Sequence, residues 1–199
     1  MEKNKTYLCI YDQELNLKIY KFQTTDFQMY DVLADKFDFF FEKYIDDKSS
    51  SGVYCLINDL DHEIYIGQTS NILQRIKSHK NTKKFNRLIF FNRNNEILSK
   101  TYIDFLEWRL IKHFLDYNEF KLNDILYKLI NSASRNVAPK LQDYEKSFCN
   151  EYFEYISRFL GLYGFEFDKN HKQINVIEGL DSKHFITKIH QLIIFLKIM

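Results

Sequence analysis

The chain has 199 residues, 45% of them hydrophobic, with 28 Lys+Arg against 27 Asp+Glu and one proline. That is a folding composition with room for one domain and appendages, and it leaves little scope for disordered linkers. No run of about 18 apolar residues suggests a membrane span, and the start, MEKNKTYLCIYDQ, lacks an apolar signal core. Cys9, Cys55 and Cys149 are scattered and fit neither a disulfide framework nor a zinc pattern, so a reducing, cytoplasmic setting is expected.

In chain order, TYLCIYDQELNLKIYKF predicts two strands around a turn, and DFQMYDVLADKFDFFFEKYI predicts a helix. DDKSSSG reads as a flexible joint. GVYCLINDLDHEIYIG, Gly52 to Gly67, predicts a hairpin. TSNILQRIKSHK predicts a helix capped by Thr69 or Ser70, FNRLIFF a short buried strand, and SKTYIDFLEWRLIKHFLD a long helix. A loop-rich stretch runs to Pro139. A helix over LQDYEKSFCNEYFEYISRFLGLYGF follows, and then an apolar one over DSKHFITKIHQLIIFLKIM. The expected class is mixed α+β, a small central antiparallel sheet flanked by helices. Its parts are an N-terminal strand–helix extension (1–50), a core (51–138) and a C-terminal helical extension (139–199).

Charge is unevenly placed. Acids dominate residues 26–47. Between 75 and 100, Arg75, Lys77, Lys80, Lys83, Lys84, Arg87, Arg93 and Lys100 face only Glu96. Such a run is either a solvated helix and loop or a phosphate-facing surface.

Three placements carry chemistry. If the hairpin turn is Asn58–Asp61, Tyr54 lies opposite Tyr65, with Cβ atoms about 5 Å apart; the pair either packs or works. Arg75 and His79, at i and i+4, share one helix face. They form either a surface pair or a phosphate grip, for which a guanidinium is suited. Glu107 has Ile103, Leu110, Ile111 and Phe114 at −4, +3, +4 and +7, so a carboxylate lies within an apolar stripe. Such an acid needs a cation, either Arg75 or Arg109 in a salt bridge or a divalent metal.

Gly52-Val53-Tyr54, ten intervening residues, Tyr65-Ile66-Gly67, then Arg75, His79 and Glu107, together resemble the GIY-YIG nuclease family over roughly residues 51–125. The resemblance implies a metal-dependent DNA endonuclease. In it Tyr54 and Tyr65 line the site, one of them activating or positioning the attacking water. Arg75 stabilises charge on the scissile phosphate, His79 assists as proton carrier or orienting group, and Glu107 holds a single Mg²⁺ (or Mn²⁺). The family also uses an asparagine beyond the glutamate helix, assigned here to Asn123 over Asn118, Asn131 and Asn136. Some members carry a lysine directly after the second tripeptide; this chain has Gln68. Lys77, Lys80, Lys83, Lys84 and Arg87 are expected to contact the DNA backbone. An Arg or metal-bound water beside a tyrosine is expected to lower its pKa toward neutrality. The competing expectations are a catalytically inactive nucleic-acid-binding module and an aromatic-cored interaction protein. Among nucleases, a type II restriction enzyme competes with a structure-selective repair or defence enzyme. The apolar face Phe185, Ile189, Leu192, Ile193 and Leu196 is expected to pack on its own chain, favouring a monomer over a homodimer.

Overall fold

The computed structural model describes residues 7–23, 25–47, 49–80, 82–117, 119–131 and 138–167. The chain divides into two units, Met1–Asp168 and Lys169–Met199. The second unit, and with it the apolar C-terminal face and its bearing on oligomeric state, lies outside the described residues.

The class is mixed α and β, as expected, but the sheet is large. Strands β1 (Tyr7–Asp12), β2 (Leu17–Phe22), β3 (Phe27–Leu33), β4 (Gly52–Asn58), β5 (Glu63–Thr69), β6 (Arg87–Arg93), β7 (Phe120–Leu122), β8 (Ile125–Leu129) and β9 (Phe165–Phe167) run in the order β1-β2-β3-β6-β4-β5-β8-β7-β9. Every pairing is antiparallel except β5 with β8. Helices α1 (Phe37–Tyr44) and α2 (Ile72–Lys80) share one core with Leu56, Leu88 and Phe90, whereas α3 (Lys100–Leu115) and α4 (Asp143–Tyr163) share the other with Val53, Cys55, Ile66 and Ile89. These are alternate residues of the same strands, so the sheet is covered on both faces.

Several sequence expectations change. The helix expected over residues 26–45 is a strand followed by a shorter helix. β3 pairs with β6 along its whole length, from Phe27↔Arg93 to Leu33↔Arg87. The serines of the expected flexible joint are fixed. Ser49, Ser50 and Ser51 are buried, the Ser49 carbonyl accepts from Asn92 Nδ2 at 2.6 Å, and Ser51 Oγ accepts from the Leu98 amide at 2.7 Å. The loop-rich stretch holds the β7–β8 hairpin, turned by Asn123 and Asp124 with φ of 51° and 68°. Both residues tolerate the left-handed region that a two-residue hairpin turn demands. The long helix stands as expected, with Ser99 Oγ accepting from the Tyr102 amide. α4 opens on a capping box of Gln142 and Glu145 and ends at Gly164, φ 108°.

Candidate active site

The β4–β5 hairpin supplies the phenols in a register two positions away from the expected one. Tyr54 pairs with Gly67 and Leu56 with Tyr65. The cause is Asn58, whose Oδ1 accepts from the amides of Leu60 and Asp61 while its backbone stays in the strand, moving the turn to Asp59–His62. Because the shift is even, the two tyrosines keep the same face and become diagonal neighbours. Their ring centroids lie 6.4 Å apart.

Gly67 explains how the pair is packed. A Cβ there would come within 2.5 Å of Tyr54 Cζ, and closer still to Oη. The Tyr54 ring lies flat across the space that a side chain at position 67 would occupy. Gly52 serves a similar close approach, its missing Cβ standing against the Phe91 carbonyl and 2.8 Å from Phe90 Cε2.

α2 brings the next two groups. Its N-cap is Asn71 rather than Thr69 or Ser70: Asn71 Oδ1 accepts from the Gln74 amide, while Thr69 Oγ1 accepts from the Asn71 amide. The Ile72 and Ile76 side chains are fully buried, which orients the helix and turns Arg75 and His79 toward the sheet. Arg75 Nε donates to Tyr54 Oη at 3.0 Å, and Tyr54 Oη lies 2.8 Å from His79 Nε2. A guanidinium can only donate, so Tyr54 Oη accepts from Arg75; the direction of the Tyr54–His79 bond follows the imidazole tautomer, and with Nε2 unprotonated the phenol donates its proton there. His79 is 4% exposed. Burial, with Arg75 and Lys83 adding to it, pushes its pKa down to about 4, so it is neutral at pH 7. Burial also pushes the Tyr54 phenol up, and the opposing pull of Arg75 is the weaker effect. The expectation of a tyrosine lowered toward neutrality therefore does not hold for Tyr54 in this state.

Tyr65 is half-buried, its ring 5.4 Å from the His79 ring and edge-on to it. Glu107 is half-buried on α3, which packs against β5 and β4, and its charge acts on the Tyr54 phenol. The acid thus sits at the margin of the apolar stripe, within electrostatic reach of the phenol, while Ile103, Leu110, Ile111 and Phe114 are buried.

Asn123 is not brought to this group. It lies in the β7–β8 turn, its amide donating to the Gly164 carbonyl. With Ile64 level with Leu129, the strand rise puts Asn123 roughly 30 Å along the sheet from Gly67. Asn131 is the asparagine at the site's edge. Its Oδ1 accepts from the Ile66 amide at 2.9 Å and its Nδ2 donates to the Ile66 carbonyl at 2.7 Å, bracketing the residue between Tyr65 and Gly67. Sequence spacing could not single it out, because it depends on where β8 leaves β5.

The basic run divides. Lys77 and Lys84 are exposed, Lys83 is half-buried, and the Lys80 side chain lies outside the described residues. Arg87 is turned inward, donating to Tyr163 Oη at 2.5 Å and pairing with Asp59 at 3.4 Å. That engagement ties β6 to α4 and to the hairpin turn.

Among the described residues no group of three or more His, Cys, Asp or Glu could together hold a metal ion, and no helix is long and apolar enough to cross a membrane. Residues 50–123 match the family model described as the GIY-YIG catalytic domain. Neither the curated proteins nor the solved structures searched gave a match. The nucleases of this family act on nucleic acid and generally use divalent metals. The segment that holds both tyrosines, the arginine, the histidine and the glutamate thus matches the GIY-YIG catalytic domain, which supports membership of the GIY-YIG nuclease family.

Proposed function

We propose that the protein is a metal-dependent DNA endonuclease that hydrolyses phosphodiester bonds through a tyrosine–histidine relay. The observation that carries this is the single Tyr54 hydroxyl, which accepts from Arg75 Nε and faces a neutral His79 Nε2. Water attacking a phosphodiester must lose a proton, and charge on the phosphate must be compensated. Tyr54 can receive the water's proton as its own passes to His79, so no free phenolate has to form in a buried site. A neutral imidazole, its pKa pushed down to about 4, offers the free lone pair this transfer requires in the tautomer that leaves Nε2 unprotonated. Arg75 is exposed as a residue, and with Tyr54 holding its Nε and Tyr65 also hydrogen-bonded to it, its guanidinium stands beside both phenols, where it would meet the phosphate.

Glu107 suits a Mg²⁺ or Mn²⁺ ion. Mg²⁺ keeps several waters and is commonly held by one or two carboxylates together with substrate phosphate, so a site with one protein acid is sufficient. A divalent ion bound there supplies Lewis-acid stabilisation of the phosphate and leaving oxygen. Lys77 on α2 and Lys84 beyond it, both exposed, support backbone contact, and Asn131 is the better-placed asparagine than Asn123.

The test is cleavage of supercoiled plasmid, single-stranded and branched DNA by the purified protein with Mg²⁺, with Mn²⁺ and with EDTA. Wild type should nick DNA only with a divalent ion. Tyr54→Phe should lose about 10²–10⁴-fold in rate by removing the relay, and Glu107→Gln should be inactive while folded. Cleavage at the wild-type rate by Tyr54→Phe sinks the relay; wild-type cleavage in EDTA sinks the metal requirement.

A further inference from the structure

We propose that Lys83 is a positioning residue of the active centre, the cation beside Tyr65, rather than one more lysine of the DNA-binding surface. This rests on the nuclease reading above and deepens it. The chain has Gln68 directly after Tyr65-Ile66-Gly67, so no cation comes from that position. One comes instead from just beyond α2. Lys83 Nζ stands 3.8 Å above the centroid of the Tyr65 ring. At that distance an ammonium is attracted by the ring's negative face, and the attraction strengthens with partial desolvation.

The backbone fixes the placement. The amides of Thr82 and Lys83 both donate to the His79 carbonyl at 2.9 Å, closing the turn directly beneath the catalytic imidazole. Lys83 is half-buried, unlike the exposed Lys77 and Lys84. Tyr65 is therefore held between a cation on its face and His79 at its edge.

The charged and titratable groups around His79 come from every side: Tyr54 of β4, Tyr65 of β5, Arg75 of α2 and Lys83 after it, with Glu107 of α3 acting on Tyr54. Of the charges, Arg75 and Lys83 push the imidazole toward its neutral form, adding to burial. Lys83 thus has two effects. It fixes the Tyr65 ring, and it keeps His79 able to accept the relayed proton.

Lys83→Met tests this, because the thioether keeps an apolar stem against Tyr65 and removes only the charge. The first readout needs no cleavage: titration of the His79 imidazole by NMR in the free protein, assigned with His79→Gln. Lys83→Met should raise the His79 pKa by about half to one unit, and Lys83→Arg should restore it. The second is kinetic. Lys83→Met should lower kcat at least about tenfold with KM little changed, the loss deepening toward acid pH, whereas Lys77→Ala should act on KM. An unmoved His79 titration, or a Lys83→Met defect confined to KM, overturns the assignment. If the wild type proves unable to cleave DNA, the nuclease reading falls and the titration still decides the role of Lys83.

Discussion

Gly67→Ala is the sharpest single perturbation of the site. The added Cβ would stand 2.5 Å from Tyr54 Cζ and 2.9 Å from Cε2, where carbon atoms normally rest at about 3.5–4 Å. The ring must move by about an ångström, and it is fully buried, with Phe90 and Leu56 in the same core. A displacement of that size stretches the 2.8 Å contact to His79 and the 3.0 Å bond from Arg75 beyond hydrogen-bonding range. Overpacking costs about 1–3 kcal/mol and each of the two lost hydrogen bonds about 1 kcal/mol, so a destabilisation of about 3–5 kcal/mol is expected. Displacement of a catalytic group by an ångström costs about 10²-fold in rate. Urea unfolding reads the first effect and single-turnover plasmid nicking the second. Gly161→Ala on α4 is the control. A Cβ there meets nothing within 4 Å, so this change should stabilise by up to about 1 kcal/mol and leave cleavage intact. A Gly67→Ala protein with wild-type stability and rate would refute the claim that position 67 sets the Tyr54 ring.

Asn131→Ala removes both bonds to Ile66 and should cost about 1–3 kcal/mol, with faster hydrogen exchange at the Ile66 amide than at Ile64; unchanged exchange would argue that the bracket does not hold the strand. Stability should also fall with acid. The pKa values of His79 and His113 are both pushed down to about 4 in the folded protein, chiefly by burial, against about 6.5 unfolded. Their contribution is therefore fully present above pH 6.5 and is lost as pH falls toward 4. Asp31, raised by burial, works in the opposite sense, so His113→Leu should flatten the pH dependence of the urea midpoint between pH 6.5 and 4; an unchanged slope would refute the assignment. Lys77→Ala with Lys84→Ala should weaken DNA binding across sequences and reduce the salt slope by up to about two units, while an unchanged slope would place the DNA elsewhere.

The site was more legible in the sequence than the fold around it. Tyr54, Tyr65, Arg75 and His79 sit in short elements whose geometry follows from local spacing, so strand alternation and the i, i+4 rule were enough to gather them. Even the misread turn did little harm, because a shift by two preserves the face. β3 was missed for a different reason. Phe27 and Met29 face one core and Tyr30 and Val32 the other, so the strand is apolar on both sides and shows no alternation. Arg87 was misread because the charge run does not reveal that Tyr163, 76 positions away, and Asp59 engage its guanidinium. Asn123 was chosen by its distance from the glutamate helix, while what holds it is the backbone of a hairpin turn.

The sheet's extent also explains how a buried phenol can meet a polymer. Tyr54 is fully covered, and a nine-stranded sheet packed on both faces would ordinarily seal it. Access has to come along an edge, and the candidate is β5. Its parallel pairing with β8 stops at Ile64, with the Ile130 amide giving a last bond to the Ile64 carbonyl. Beyond it, Asn131 satisfies Ile66 with a carboxamide instead of a strand backbone. Among the described residues no strand pairs with Tyr65, Gly67 or Thr69 on that side. A short side chain thus bonds Ile66 where the described β5–β8 pairing ends. Tyr65 is half-exposed beside a buried Tyr54, so in the proposed relay Tyr65 would face the nucleic acid while Tyr54 would pass the proton inward to His79.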